Sequence, residues 1–243
     1  MKSRAVVLAG GRGTRLEPYT TVLPKPLMPV GDMPVLELLI RQLRQSGVQD
    51  ITIAVGYLGS LIEAYFGDGS AFDVRIEYSH ELEPRGTAGP LGLIANLTDP
   101  FLLLNGDLLT DLDFGAMVEA HRRSGAVATI GLFLREMRID LGVIETDASN
   151  AVISYTEKPA FNYRASMGAY VFDARVLQHI PAGVRFDLPD LVRALIAAGE
   201  RVNAYDHAGY WLDIGNRSDY ERAQRDFESM RPALLGAPKP PPA

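Results

Sequence analysis

Apolar positions in the first half of the chain switch between two periods. Residues 5–9 (AVVLA) form a continuous apolar run, as in a strand buried on both faces. A Gly/Pro-rich stretch covers 10–31. Then Val35, Leu36, Leu38, Leu39, Ile40 and Leu43 recur at helical spacing until Gly47 stops the helix. The alternation continues, with strands expected at 51–55, 74–78, 101–104 and 126–134 and helices at 58–66, 91–97 and 114–124. This order predicts the α/β class: a mostly parallel sheet with helices on both faces. Ligands of such sheets bind beyond the carboxyl ends of the strands. Residues 10–15 and 105–107 both fall at such ends, so two segments converge on one crevice.

From residue 141 the pattern changes. Short strands are expected at 142–145, 152–155 and 167–172, and helices return at 188–198 and 218–229. The second half reads as an extension of the same core that covers the crevice, giving a single domain over 1–230. Residues 231–243 include six that are Pro or Gly and have little to bury, which predicts a disordered tail. No internal repeat is present, and no hexapeptide β-helix array follows the core.

Composition narrows the chemistry. The chain has 243 residues, 47% hydrophobic and 22% charged, as expected for a globular domain. A net charge of −6 gives no global field for a nucleic acid polymer, so a polyanionic ligand needs a local cluster of cations and backbone N–H groups. The absence of cysteine excludes disulfides, thiolate zinc sites and cysteine nucleophiles. The apolar run near the N-terminus is too short for a signal-peptide core or a membrane span, so the expected compartment is the cytoplasm, with no membrane partner.

The segment Leu8-Ala9-Gly10-Gly11-Arg12-Gly13-Thr14-Arg15 directly follows the first strand. Its glycines let the backbone turn sharply, and successive N–H groups in such a turn make an anion-binding nest. Arg12 and Arg15 add charge-assisted bonds to phosphate oxygens, and Lys25, between Pro24 and Pro26, adds a third cation. The P-loop pattern is absent, and the G-x-G-x-x-G fingerprint fails where Leu16 stands in place of its last glycine. The plain alternative is a Gly-rich surface turn with solvated arginines.

Gly10-Gly11-x-Gly13-x-Arg15-Leu16, followed by Pro24-Lys25-Pro26, resembles the signature of the sugar-1-phosphate nucleotidyltransferases. That family includes mannose-1-phosphate guanylyltransferases and glucose-1-phosphate thymidylyl-, uridylyl- and adenylyltransferases. The resemblance runs in order through residue 228 and is nearest to the guanylyltransferases, in a short form without the C-terminal β-helix domain. It implies a Rossmann-like, GT-A-like fold and the transfer of a nucleotidyl group from a nucleoside triphosphate to a sugar 1-phosphate. It also implies that Arg15 and Lys25 bind the phosphates at the reacting centre. A homo-oligomer is left open.

Asp107 ends the apolar strand 102–104 through Asn105-Gly106, and Asp213 lies in Gly-Tyr-Trp-Leu-Asp-Ile-Gly. By the resemblance, the two carboxylates jointly hold Mg²⁺, which prefers one or two carboxylates plus phosphate oxygens and water. Asp111 and Asp113 read as caps of turns or helices. The segment from Ser79 to Leu91 resembles the guanylyltransferase base-reading segment, in which the positions of Glu81 and Gly86, with Thr87 beside them, meet the nucleobase. Guanine presents two donors on one edge, which a carboxylate accepts; cytosine's amine is a weaker match, and uracil or thymine suit an amide better. Glu81 therefore favours GTP, with UTP, dTTP, CTP or ATP and glucose 1-phosphate as the alternative. His80 reads as structural.

On the sugar side, Gly142, Glu157 and Lys158 match the family's sugar-binding positions by resemblance. Ser166 stands where many guanylyltransferases have Asn, whereas glucose-1-phosphate adenylyltransferases often carry Ser-Met-Gly there. A mannose-like hexose or heptose and a glucose both stay open. A non-catalytic subunit that binds nucleotide sugar is a third reading. Such paralogues usually lose a charged site residue, and Arg15, Lys25, Asp107 and Asp213 are all present.

Overall fold

A computed structural model of the chain describes residues 4–97 and 100–235. Its centre is a seven-stranded sheet in the order β12-β8-β11-β6-β1-β4-β5. These strands are β1 (Arg4–Ala9), β4 (Asp50–Val55), β5 (Arg75–His80), β6 (Phe101–Asn105), β8 (Ala128–Arg138), β11 (Ala160–Phe172) and β12 (Val202–His207). β1 pairs in parallel with β4 and β6, β4 with β5, and β12 with β8; only β11 runs antiparallel to its neighbours. The mostly parallel α/β sheet read from the sequence is the one observed.

The chain moves outward from β1 through β4 to β5, then returns to place β6 on the other side of β1. That reversal is a topological switch point, where two neighbouring strand ends diverge and leave a crevice. Leu8 pairs with Asn105 across it. The glycine loop and the Asn105–Asp107 segment therefore leave the sheet side by side.

Helices cover both faces. α1 (Val35–Gln45), α2 (Gly59–Phe66) and α3 (Phe114–Ser124) lie on one face, where Leu36, Leu39, Leu43 and Phe114 meet Val7, Ile53 and Leu104. α4 (Leu188–Ala197) lies on the other, with Leu191 and Leu195 against Leu103 and Phe172. Burying each such Leu or Phe contributes roughly 1.5–3 kcal/mol. α1 is buried nearly all round because its second side, through Val35 and Leu38, packs on a third cluster. That cluster contains Leu109, Leu212, Ile214 and Phe227. Leu109 and Leu212 belong to the two-strand ladder of β7 (Leu108–Thr110) and β13 (Trp211–Asp213), Ile214 directly follows β13, and Phe227 lies on α5 (Arg217–Leu235). Small hairpins, β2 (Pro29–Val30) with β3 (Met33–Pro34) and β9 (Gly142–Thr146) with β10 (Val152–Glu157), complete the chain. Among the described residues no helix is long and apolar enough to cross a membrane.

Three expectations are corrected. Residues 91–97 do not form an α-helix: a 3-10 turn covers Gly89–Leu93, Ile94 is extended, and Asn96 has φ +58°. Gly89, Pro90 and Gly92 are poor helix formers, and Arg4 Nη1 takes the Ala95 and Asn96 carbonyls, each at 3.4 Å. The strand expected at 167–172 is the buried end of β11, whose first half is exposed. β11 and β12, from the second half, are thus part of the central sheet beside β8 rather than a cover over it. Finally, α5 extends through 231–235 and buries Leu234, because its apolar side continues against the third cluster. Residues 236–243, the rest of the expected tail, lie outside the described residues.

Candidate active site

The glycine loop leaves β1 under close constraints. Tyr57 N–H donates to the Gly10 carbonyl at 3.3 Å, and a Cβ on Gly10 would stand 2.7 Å from Glu81 Oε1. Gly11 has open space around it, so its backbone is accessible. Gly13 adopts φ +64°, and its carbonyl accepts from Leu16 N–H at 2.8 Å and Thr20 Oγ1 at 2.9 Å. Leu16 is then buried while Arg12, Thr14 and Arg15 stay exposed around the loop. Arg12 rests over the Tyr57 ring, 5.5 Å from its centre. Leu8 and Ala9 turn their side chains into the core and are paired with neighbouring strands, so they place the start of the loop.

A charged cluster sits beside this loop. Gly106 N–H donates to the Leu8 carbonyl at 2.9 Å, and a Cβ at Gly106 would come 2.8 Å from that oxygen. The close approach places Asp107 next to the loop. Buried Pro24 and Pro26 hold Lys25, whose ammonium pairs with Asp107 and lies 3.7 Å from Asp213 Oδ1. The β7–β13 ladder sets Asp213 opposite Leu108, one residue past Asp107. Arg15 reaches the same place: its Nη1 would be 3.6 Å from a Cβ on Gly215. Arg15, Lys25, Asp107 and Asp213 thus lie together.

The electrostatics of the cluster favour a further cation. Burial and the neighbouring Asp107 carboxylate push the Asp213 carboxyl up to about 6, against the pull of Lys25 and Arg15. Asp213 Oδ1 is buried without a hydrogen-bond partner. Two crowded carboxylates with an orphan oxygen fit a divalent ion that takes its remaining ligands from water and phosphate. Among the described residues no group of three or more His, Cys, Asp or Glu is placed to hold a metal ion.

The segment expected to read the base is folded back on itself. Glu81 is held by its N–H to the Val55 carbonyl at 2.9 Å, and its Oε2 accepts from Arg85 N–H at 3.0 Å. Burial raises the Glu81 pKa, while the Arg85 N–H and the Arg85 charge lower it. Oε1 faces Gly10. Arg85 thus contributes its backbone to the turn. Gly86 adopts φ +80°, and the Thr87 hydroxyl accepts from Leu188 N–H at 2.7 Å.

The residues expected on the sugar side lie on the β9–β10 hairpin, in the turn after it and on β11. Gly142 pairs with Glu157, and a Cβ at Gly142 would run into the Tyr155 hydroxyl. That hydroxyl donates to Glu157 Oε2 at 2.9 Å. Lys158 has φ +47°. Ser166 Oγ lies 2.9 Å from the Tyr170 hydroxyl across a register shift in β11. Inside that shift Gly168 packs on Asn105, and the Met167 carbonyl accepts from Trp211 Nε1 at 3.0 Å. The shift is thereby anchored to both carboxylate-bearing segments.

Two residues were read differently in the sequence or not at all. Asp113 caps α3 as expected, its Oδ1 accepting from Ala116 N–H at 2.9 Å. Asp111 is not a local cap: its Oδ1 accepts from Tyr210 N–H at 2.6 Å and contacts His207 Nε2 at 2.8 Å, pinning the turn that enters β13. Asp187 accepts from Thr87 N–H at 3.0 Å and carried no motif by which to find it.

Comparison with known proteins agrees with this geometry. A family model described as Nucleotidyl transferase matches residues 4–230. The chain is 37% identical over 242 residues to a UTP–glucose-1-phosphate uridylyltransferase of Synechocystis sp., covering 91% of this chain and 62% of that one. It is 34% identical over 243 residues to a mannose-1-phosphate guanylyltransferase of Mycobacterium tuberculosis, covering 96% and 67%. The chain therefore spans roughly three-fifths to two-thirds of the length of these curated relatives. A putative glucose-1-phosphate thymidylyltransferase from Bacillus anthracis superposes with a TM-score of 0.75 at 25% identity, covering 98% and 96%. HddC from Yersinia pseudotuberculosis superposes with a TM-score of 0.72 at 25% identity, covering 93% and 99%. With its glycine loop, paired carboxylates and lysine held at one switch point, the chain belongs to the nucleotidyl transferase family, among the sugar-1-phosphate nucleotidyltransferases.

Proposed function

We propose that the chain is an enzyme that transfers a nucleotidyl group from a nucleoside triphosphate to a sugar 1-phosphate, releasing pyrophosphate. The observation that carries this reading is the convergence of Lys25, Asp107 and the orphan Asp213 oxygen beside an open glycine loop. The sugar phosphate is already an anion at neutral pH, so no side-chain nucleophile is required. One of its oxygens attacks the α-phosphorus; the bond to the bridging oxygen breaks, and pyrophosphate carries away the electron pair. The reagents repel each other, so the protein's work is positioning and charge stabilisation. The loop N–H groups and Arg12 hold the triphosphate tail, while Arg15 and Lys25 face the charge that develops around phosphorus. Asp107 and Asp213 would hold Mg²⁺, which supplies Lewis-acid charge neutralisation when bound.

GTP is the preferred triphosphate in this reading, and a mannose-like hexose or heptose 1-phosphate the acceptor. Glu81 supports it as a half-buried carboxylate with one oxygen facing the loop and capacity to accept more than the Arg85 N–H. Similarity to the uridylyltransferase keeps UTP with glucose 1-phosphate as the second reading. The test is pyrophosphate release with GTP, UTP, dTTP, CTP and ATP against mannose and glucose 1-phosphates. Turnover that depends on Lys25 supports the assignment. No turnover with any pair, or turnover unaffected by Lys25→Ala, overturns it.

A further inference from the structure

The base-reading turn and the start of α4 cap each other, a contact that the transfer chemistry does not use. Thr87 N–H donates to Asp187 Oδ1 at 3.0 Å, and Leu188 N–H donates to the Thr87 hydroxyl at 2.7 Å. The Thr87 hydroxyl also lies 3.4 Å from Asp187 Oδ1. Asp187 stands at the N-cap of α4, yet its side chain makes no capping bond to its own helix. The cap is supplied by a residue 101 positions earlier in the chain. Backbone bonds tie the same two segments: Phe186 N–H to the Arg85 carbonyl at 2.9 Å, and Ala88 and Gly89 N–H to the Phe186 carbonyl at 3.0 Å. Between them Gly86 is held at φ +80°, where a Cβ would lie 2.6 Å from Asp187 Oδ1 and from the Phe186 carbonyl. Arg85 N–H in turn donates to Glu81 Oε2.

A helix start needs partners for its first N–H groups, and an Asp at the N-cap usually serves its own helix. Here that carboxylate accepts from the Thr87 N–H and lies 3.4 Å from the Thr87 hydroxyl, with Arg185 3.5 Å from Oδ2. We propose that Asp187 and Thr87 are a positioning pair that sets the place of the Gly86 backbone and of Glu81, and so tunes which triphosphate is selected. Neither residue faces the reacting phosphates in this scheme. The inference rests on the assignment of the nucleobase to Glu81 and Gly86. A rigid reading edge matters because a displacement of about 1 Å can cost on the order of a hundredfold in a positioned reaction.

The test measures kcat and KM for GTP and for UTP, with mannose 1-phosphate or glucose 1-phosphate as acceptor, whichever turns over faster. Asp187→Ala, Asp187→Asn, Thr87→Val, Thr87→Ser and Glu81→Gln are compared with wild type, with a Tm for each. Asp187→Ala and Thr87→Val are expected to raise the triphosphate KM by about 5- to 50-fold, to leave kcat within about threefold, and to move the GTP/UTP ratio of kcat/KM toward one. Asp187→Asn keeps an acceptor for Thr87 N–H, and Thr87→Ser keeps the hydroxyl, so both retain most of the selectivity. A lowered Tm with unchanged KM and ratio in Asp187→Ala and Thr87→Val makes the contact a helix cap only and overturns the proposal. If Asp187→Ala does not fold, Thr87→Val decides alone. A ratio that moves in Glu81→Gln but not in the pair's variants overturns the pair and keeps the base assignment. The converse removes Glu81 as the reader and confines the pair's effect to the Gly86 backbone, so the part of the proposal that runs through Glu81 falls.

Discussion

The Lys25 ammonium lies 3.7 Å from Asp213 Oδ1, a buried oxygen with no hydrogen-bond partner of its own. Lys25 gives its close contact to Asp107 instead. The cluster thus sets two carboxylates against one close lysine, with Arg15 nearby, and leaves the Asp213 oxygen as the acceptor that a bound cation would use.

Metal dependence follows. Activity is expected to vanish with chelator and return with Mg²⁺, and Asp107→Asn and Asp213→Asn each to weaken both rate and metal activation. Stability and function should separate at Asp213. Burial and the Asp107 charge hold the Asp213 carboxyl above its usual range, so near neutral pH its ionised form destabilises the metal-free fold. The metal-free Asp213→Asn protein should therefore melt no lower than wild type. Thermal melting in chelator, beside rates titrated with Mg²⁺, checks this; full activity in chelator rules the metal role out.

Removing either cation should be felt in kcat. Arg15→Ala and Lys25→Ala are each expected to lower kcat by roughly 10²–10³-fold, the loss typical of a transition-state charge contact. Steady-state pyrophosphate release is the measurement. Near-normal turnover in both variants would remove the phosphate site.

Base choice is tested by Glu81→Gln. The amide keeps an oxygen for Arg85 N–H, so the turn and the Tm should survive. It also puts a donor against a guanine donor, a mismatch costing about 1–3 kcal/mol or more, so kcat/KM for GTP should fall by roughly tenfold to a few hundredfold. UTP and dTTP should change little. An equal loss for every triphosphate counts against Glu81 as the base reader.

Gly142→Ala probes the sugar side. The added methyl meets the Tyr155 hydroxyl and displaces it from Glu157 Oε2. Tyr155 is exposed, so the ring can move and the Tm should shift little. The KM for sugar phosphate is expected to rise by about threefold or more, while that for the triphosphate holds, as when a ground-state contact to one substrate is lost. An equal change in both KM values would detach Gly142 from the sugar.

Local pattern located the inner strands well. β1, β4 and β6 are apolar over most of their length because both faces are covered, and such runs stand out in any window. β11 did not stand out: its first half projects beyond the covered sheet and mixes Asn162 and Arg164 with Phe161 and Tyr163. The helix expected at 91–97 failed for the opposite reason. Its apolar residues have helical spacing, but Gly89, Pro90 and Gly92 weaken the helix and a distant arginine claims its carbonyls. Asp111 read as a cap because its partners, Tyr210 and His207, lie almost a hundred positions away.

By itself the sequence determined the α/β class, the glycine loop after the first strand, and the kinds of charge that could serve there. Those are properties of short windows: strand burial shows as apolar runs, and backbone freedom is written directly as glycine. Only the tertiary structure decided which charges share a site. Asp107 and Asp213 meet because β7 and β13 pair in one register, with α1 and α5 packed beneath that ladder. Thr87 and Asp187 meet because α4 lies on the sheet face where the base-reading turn ends. Hydrogen-bond pairing and side-chain packing between distant segments depend on the whole chain closing at once, and no local period records them.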